Sequence, residues 1–188
     1  MWLVFGGWSG EGVGSPTSGV MPVGCQFPGM PTFTREVRVR APFDAVWEFH
    51  SNASGLEALT PAFMELELLA VRGPDGELDP DVLETGAEIE MRMRPFGVTP
   101  AQSWTSVIVE RDASDGSAYF VDEMRDGPFR EWRHTHMFYA DGEDTIVRDR
   151  VDYRLPLGGL GDLAGPFAKV GFEGMFRDRH KRTKRILE

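Results

Sequence analysis

Lysine is scarce in this chain. Of its 20 basic residues three are lysine and 17 arginine, set against 30 acids for a net charge of −10. Residues 177–188 carry +4 and residues 1–30 carry −1, so the middle of the chain holds −13. Phosphate backbones need a basic footprint, and this acidic body excludes nucleic acid as the main partner. The basic C-terminal run is instead expected at a helix C-terminus, where cations complement the helix dipole. Cysteine occurs once, as Cys25, which excludes an internal disulfide. No apolar run approaches the ~18 residues of a membrane span. "MWLVFGGWSG" starts apolar, but it has no basic flank and glycine interrupts it, so no signal peptide is expected. These absences together point to a reduced, cytoplasmic protein. Two catalytic signatures are also missing. There is no Gly-x-Ser-x-Gly elbow, and "GGLGDLAG" lacks the Gly-Lys-Ser/Thr ending of a phosphate loop, which makes it a connection to the last helix.

What is present begins after residue 31. Residues 1–31 repeat Gly, Pro and Ser without a period and are expected to form a disordered tail, with Met30 as an alternative start. Residues 32–188 are expected to form one domain. "TFTREVRVRAP" alternates Phe33, Val37 and Val39 with charged neighbours and predicts a strand. "APFDAVWEFHSN" predicts a short helix with Pro42 at its start, and "ASGLEALTPAF" a second one ended by Pro61. Strands are predicted near 63–72, 87–94, 101–111, 117–125, 129–140 and 145–155, separated by turns rich in Gly, Pro and Asp. A helix is predicted from about 163 to 186 with Leu163, Phe167, Val170 and Met175 or Phe176 as its apolar stripe. This order specifies an α+β fold, an antiparallel sheet with one inner face covered by the long C-terminal helix.

The stretch "GPFREWRHTHMFY" places Trp132, His134, His136 and Phe138 on one face of a strand. A three-residue loop at Asp126–Pro128 would set Asp122 opposite Trp132 and Phe120 opposite His134. A four-residue loop at Asp141–Asp144 sets His136 opposite Asp149, His134 opposite Val151 and Trp132 opposite Tyr153. The other face collects Arg133, Thr135, Arg148, Arg150, Asp152 and Arg154, which makes it the solvent side. The histidines therefore point inward, toward carboxylates, and buried groups of this kind must be paired. His136 with Asp149 is the expected pair, and Asp122 is expected to serve His134 or the Trp132 indole.

Four roles remain open for this face. The groups could anchor the polar end of a ligand in an apolar pocket, or do acid–base chemistry with His136, Asp149 and His134 as the candidates. They could bind a metal as two His and one acid, or form a structural network in a filled core. The metal role ranks last because His-x-His is a common accident, so neither metal nor cofactor is expected. The expected ligand contacts are Phe120, Asp122, Trp132, His134, His136, Phe138, Asp149, Val151 and Tyr153, with Met175 from the last helix. Gly171 and Gly174 would either bring that helix close to the sheet or leave room beside it.

"VRVRAPFDAVWEFHSNASGLEALTP", "GPFREWRHTHMFYADGEDTIVRDRVDYRLPLGGLG" and "EGMFRDRHKRTKRIL" resemble the opening, middle and end of START-like, Bet v 1-like (SRPBCC) domains. The middle stretch resembles a bacterial and archaeal subgroup. Its motif falls here on Gly127, Pro128, Phe129, Trp132, His134, His136, Asp149, Tyr153 and Pro156. The resemblance implies a helix-grip fold, a curved sheet wrapped around the C-terminal helix with an interior cavity. It implies a small hydrophobic partner such as a lipid, quinone or polyketide-like molecule. A cyclase or dehydratase using the inward His–Asp pair is the alternative, and a non-catalytic domain the third possibility.

Overall fold

The computed structural model describes residues 30–94, 97–98, 100–156 and 159–188, with the side chains of 159–169 left out. Residues 1–29 of the expected tail 1–31, and the side chains of the stripe positions Leu163 and Phe167, lie outside the described residues. Seven strands form one antiparallel sheet: β1 Thr32–Val39, β2 Glu67–Arg72, β3 Glu88–Met93, β4 Gln102–Ser114, β5 Ser117–Arg125, β6 Glu131–Asp141 and β7 Asp144–Arg154. Helices α1 Phe43–His50 and α2 Ala53–Leu59 follow β1, and α3 Gly159–Leu187 ends the chain. The strand order is β1-β7-β6-β5-β4-β3-β2. Two register shifts, between Leu68 and Ala70 and between Ile108 and Glu110, insert bulges that bend the sheet.

Local sequence accounts for most boundaries. Pro42 caps α1 and cannot donate a backbone hydrogen bond, which suits a helix start. Asn52 caps α2 by accepting from the Gly55 N–H at 2.8 Å. Thr60, before Pro61, turns extended and ends α2. The predicted strand at 63–72 is shorter than expected, because a single 3-10 turn, Ala62–Met64, occupies its first residues. Helix α3 begins at Gly159, four residues before the predicted start, so "GGLGDLAG" lies almost wholly in the helix rather than in a connection.

Helix α3 lies against β1 and β7, while α1 lies against β6. Two apolar clusters fill the described interior. One gathers Val39, Val46, Ile89, Ile108, Phe120 and Phe138, with Trp47 of α1 edge-on to Phe138 at 5.3 Å. The other joins Phe33, Val151, Tyr153, Phe172 and Phe176, flanked by Phe129, Trp132 and Met175. Val170 is 73% exposed and is not part of the stripe. Among the described side chains of α3 the buried ones are instead Phe172, Phe176, His180 and Thr183, a run at i, i+4, i+8 and i+11 that covers the inner face.

The outer face carries ion pairs between strands, including Arg133 with Glu110 and Glu123 and Arg148 with Glu36. Asp152, expected in solvent, is buried beneath Arg150 and accepts from the Thr32 hydroxyl. The sign of the face is as predicted, but its pairing removes this carboxylate from water.

Candidate functional site

The β6–β7 hairpin places the central residues as expected. His136 faces Asp149, His134 faces Val151 and Trp132 faces Tyr153. The turn itself is tighter than predicted, because Asp141 and Asp144 still pair and leave Gly142 and Glu143 as the loop, with Gly142 at φ +65°. The β5–β6 register differs from expectation. Asp122 faces His134 and Phe120 faces His136. The loop runs over 126–130 rather than over three residues, with Asp126 in the left-handed region at φ 56°. A slip of two residues preserves the face of every side chain, so the inward set survives while its partners change.

The resulting cluster contains three histidines and two aspartates. Asp149 is 1% exposed. Its Oδ1 accepts from His134 Nε2 at 2.9 Å and lies 3.2 Å from His136 Nδ1, and its Oδ2 accepts from His180 Nε2 at 2.6 Å. Asp122 closes the other side. Its Oδ2 lies 2.9 Å from His136 Nε2 and 3.5 Å from His134 Nδ1, and its Oδ1 accepts from the Ser106 hydroxyl at 3.2 Å. The two imidazoles sit 3.7 Å apart between the carboxylates, and Phe120 stacks on His136 at 4.1 Å. The expected His136–Asp149 pair is therefore one edge of a larger network, in which Asp149 serves three rings.

Burial pushes the Asp149 carboxyl up, but hydrogen bonds from three histidines outweigh it and hold it well below the usual range. Asp122 is held below its ordinary value in the same way, by His136, His134 and Ser106 acting against burial. Burial lowers both inward histidines. In His136 its bonds to the two aspartates win and its value is raised, whereas His134, with the charge of His136 beside it, stays lowered. One ring thus favours a proton that its neighbour disfavours.

Sequence reasoning missed four contributors. His180 arrives from α3, where the spacing from Phe172 and Phe176 was a readable signal. His50 of α1 stands 4.9 Å from the Phe138 ring and donates Nδ1–H to the Val46 carbonyl at 2.7 Å. Burial, with the Arg179 charge, lowers its value to about 3. All four histidines of the chain are thus buried near this cluster. Arg179 on α3 acts electrostatically on both aspartates. Arg35 of β1 shares the inner face with Phe33 and Val37 and pairs with Glu173 of α3.

The remaining predicted positions surround the cluster. Trp132 lies against Phe129 at 4.9 Å and Phe172 at 5.6 Å, Tyr153 against Phe172 at 4.9 Å, and Phe138 against Trp47. Val151 is buried and Met175 is partly buried at the same aromatic end. A groove of about 500 Å³ opens between β1 and α3, lined by Phe33, Val170, Glu173, Gly174 and Arg177. A Cβ added at Gly171 or Gly174 would meet nothing within 4 Å, so these glycines leave room rather than permit a close approach.

The family described as polyketide cyclase/dehydrase and lipid transport matches residues 30–188. The chain belongs to that family. Among solved structures it is similar to a START superfamily protein from Mycobacterium smegmatis, at 13% identity and TM-score 0.57 over 82% of this chain and 98% of that one. It is also similar to norcoclaurine synthase from Thalictrum flavum in complex with dopamine and hydroxybenzaldehyde, at 17% identity and TM-score 0.57 over 84% and 87%. A Thermus thermophilus protein shares 20% identity at TM-score 0.55, over 84% of this chain and 100% of that one. At these identities the likeness establishes the helix-grip fold. No curated protein matches the chain. Among the described residues no helix is long and apolar enough to cross a membrane.

Proposed function

We propose that this polyketide cyclase/dehydrase and lipid transport family member binds a small, mostly hydrophobic molecule between the sheet and α3. Asp122, His134 and His136 would anchor its polar end. The observation that carries this reading is the isolation of the polar cluster. It stands between two aromatic clusters on an inner face that is otherwise mostly apolar, the composition expected of a ligand site with a few orienting polar groups. Its two ends differ: the Asp149 side chain is 2% exposed and that of Asp122 14%, so a ligand would approach from Asp122. The norcoclaurine synthase complex holds small aromatic molecules on the same fold, which supports an aromatic or polycyclic ligand bearing a hydroxyl or carbonyl group.

Native mass spectrometry of freshly purified protein tests the reading. The expected result is a small organic adduct, reduced by His136→Gln without loss of the folded charge-state envelope. An adduct-free spectrum that stays so after incubation with hydroxylated aromatic and acyl probes would refute it.

An acid–base role is favoured by one contact, His136 Nε2 to Asp122 at 2.9 Å on the more open side of the cluster. Under that role His136, rather than the fully enclosed Asp149, is the group that exchanges a proton with the substrate. Asp122→Asn would then retain ligand and lose turnover.

A further inference from the structure

We propose that Asp122, His134 and His136 form a binding site for a divalent transition-metal ion of the Zn²⁺ type. This goes beyond the ligand reading and does not depend on it. One nitrogen of each ring already faces Asp149. Asp149 Oδ1 takes His134 through Nε2 at 2.9 Å and lies 3.2 Å from His136 Nδ1. In the neutral tautomers that keep a proton on His134 Nε2 and His136 Nδ1, the nitrogens facing Asp149, the other nitrogens, His134 Nδ1 and His136 Nε2, carry the lone pairs. Both of these nitrogens turn toward one oxygen, Asp122 Oδ2, at 3.5 and 2.9 Å.

A cation among these three donor atoms would take the place of the proton that His136 Nε2 shares with Asp122 Oδ2 at 2.9 Å. One donor atom from each of the three residues fits within a 4.8 Å span. At metal–ligand distances of about 2.0–2.2 Å, neighbouring ligands in a tetrahedral site stand roughly 3.3–3.5 Å apart. The two edges to Asp122 Oδ2 are 3.5 and 2.9 Å, so one matches that value and the other would open by about 0.5 Å. Two imidazoles and one carboxylate form a recurrent donor set for Zn²⁺ and for non-haem Fe²⁺, with a remaining position for water or a ligand oxygen.

The surroundings match what a metal site needs beyond its ligands. Metal-bound histidines commonly donate their second N–H to a carboxylate, which fixes tautomer and ring orientation. Asp149 stands in that position toward both rings, and His180 anchors its other oxygen at 2.6 Å. Ser106 holds Asp122 Oδ1 at 3.2 Å, leaving Oδ2 toward the rings. Arg179 adds positive charge near both aspartates and opposes a cation, but the two carboxylates outnumber it. The corrected β5–β6 register is what makes the set possible, because Asp122 stands beside His134 and not opposite Trp132.

The test uses the full chain, stripped with EDTA and dialysed, titrated with Zn²⁺ or Co²⁺ alone. One equivalent should bind with a Kd of about 10 μM or tighter at pH 7.5, and Co²⁺ should give visible bands of low-symmetry nitrogen and oxygen ligation. Asp122→Asn should weaken binding by at least ~30-fold and Ser106→Ala by ~10-fold, as loss of a ligand and of an orienting group require. If Asp122→Asn does not fold, histidine-ring ¹⁵N spectra of the wild-type chain decide. Zn²⁺ should move His134 Nδ1 and His136 Nε2 to metal-bound positions and leave His180 Nε2 on its carboxylate. Absence of stoichiometric binding at 100 μM metal, unmoved His134 and His136 signals, or unchanged affinity in a folded Asp122→Asn variant would each overturn the assignment.

Discussion

Replacing Asp149 with alanine tests the network at its centre. The carboxylate contacts His134, His136 and His180 at 2.9, 3.2 and 2.6 Å, and it is 1% exposed. A buried donor left without a partner costs ~1–3 kcal/mol. Three such losses would sum to ~3–9 kcal/mol if nothing relaxed. His136 keeps Asp122 on its other nitrogen, and the space left by the carboxylate admits water. The expected cost is therefore ~3–5 kcal/mol, the range for breaking a buried charged pair. His136→Ala should cost ~1–3 kcal/mol, since it strands parts of two carboxylates that retain other partners. The double variant should cost less than the sum by at least ~0.5 kcal/mol, because the residues share a contact. Urea unfolding with a constant m-value is the assay. An Asp149→Ala cost under ~1 kcal/mol, or strict additivity with His136→Ala, would refute the network.

Other expectations follow from the same geometry. His50 has a folded value near 3 against 6.5 unfolded, so between those pH values the unfolded chain binds more protons and stability rises with pH. Its contribution, up to ~5 kcal/mol, is full above pH 6.5 and lost as pH falls toward 3. His50→Leu should flatten the pH dependence of Tm between pH 4 and 6.5, and an unchanged slope would count against a neutral buried ring. Gly171→Ala should stabilise by ~0.5–1 kcal/mol, since a helical glycine there faces open space; a lower Tm would show that the helix meets something on that side. Gly127→Ala should destabilise by ~1–3 kcal/mol, because its Cβ would run into Met124 and come within 3.1 Å of Trp104 Cβ, and a neutral result in thermal unfolding would contradict the packing of that loop.

The inward face was readable because strand periodicity is local. Trp132, His134 and His136 alternate with Glu131, Arg133 and Thr135, and the Asp-Gly turn after them set the β6–β7 register. The β5–β6 register was not readable from loop residues, since Asp126 takes a left-handed conformation and the loop spends five residues where three sufficed on paper. Even so, the two-residue slip kept parity, and the face was assigned without the partners. His180 and His50 reach the cluster through tertiary packing of α3 and α1. No local pattern ties a helix residue to a given strand position, although the Phe172–Phe176–His180 spacing marked the buried side of α3. Val170 was misplaced because one apolar residue at a plausible interval does not outweigh the continuous stripe beside it.

The account's central claim is that the His134–His136–Asp122 cluster anchors the polar end of an organic ligand. Its most direct test is a histidine-ring ¹H–¹⁵N titration of metal-free protein with a hydroxylated aromatic probe such as 1-naphthol. The account predicts saturable shifts at His134 and His136 and a smaller change at His180. Binding that leaves those ring signals in place, or no saturable shift at any histidine, would contradict it.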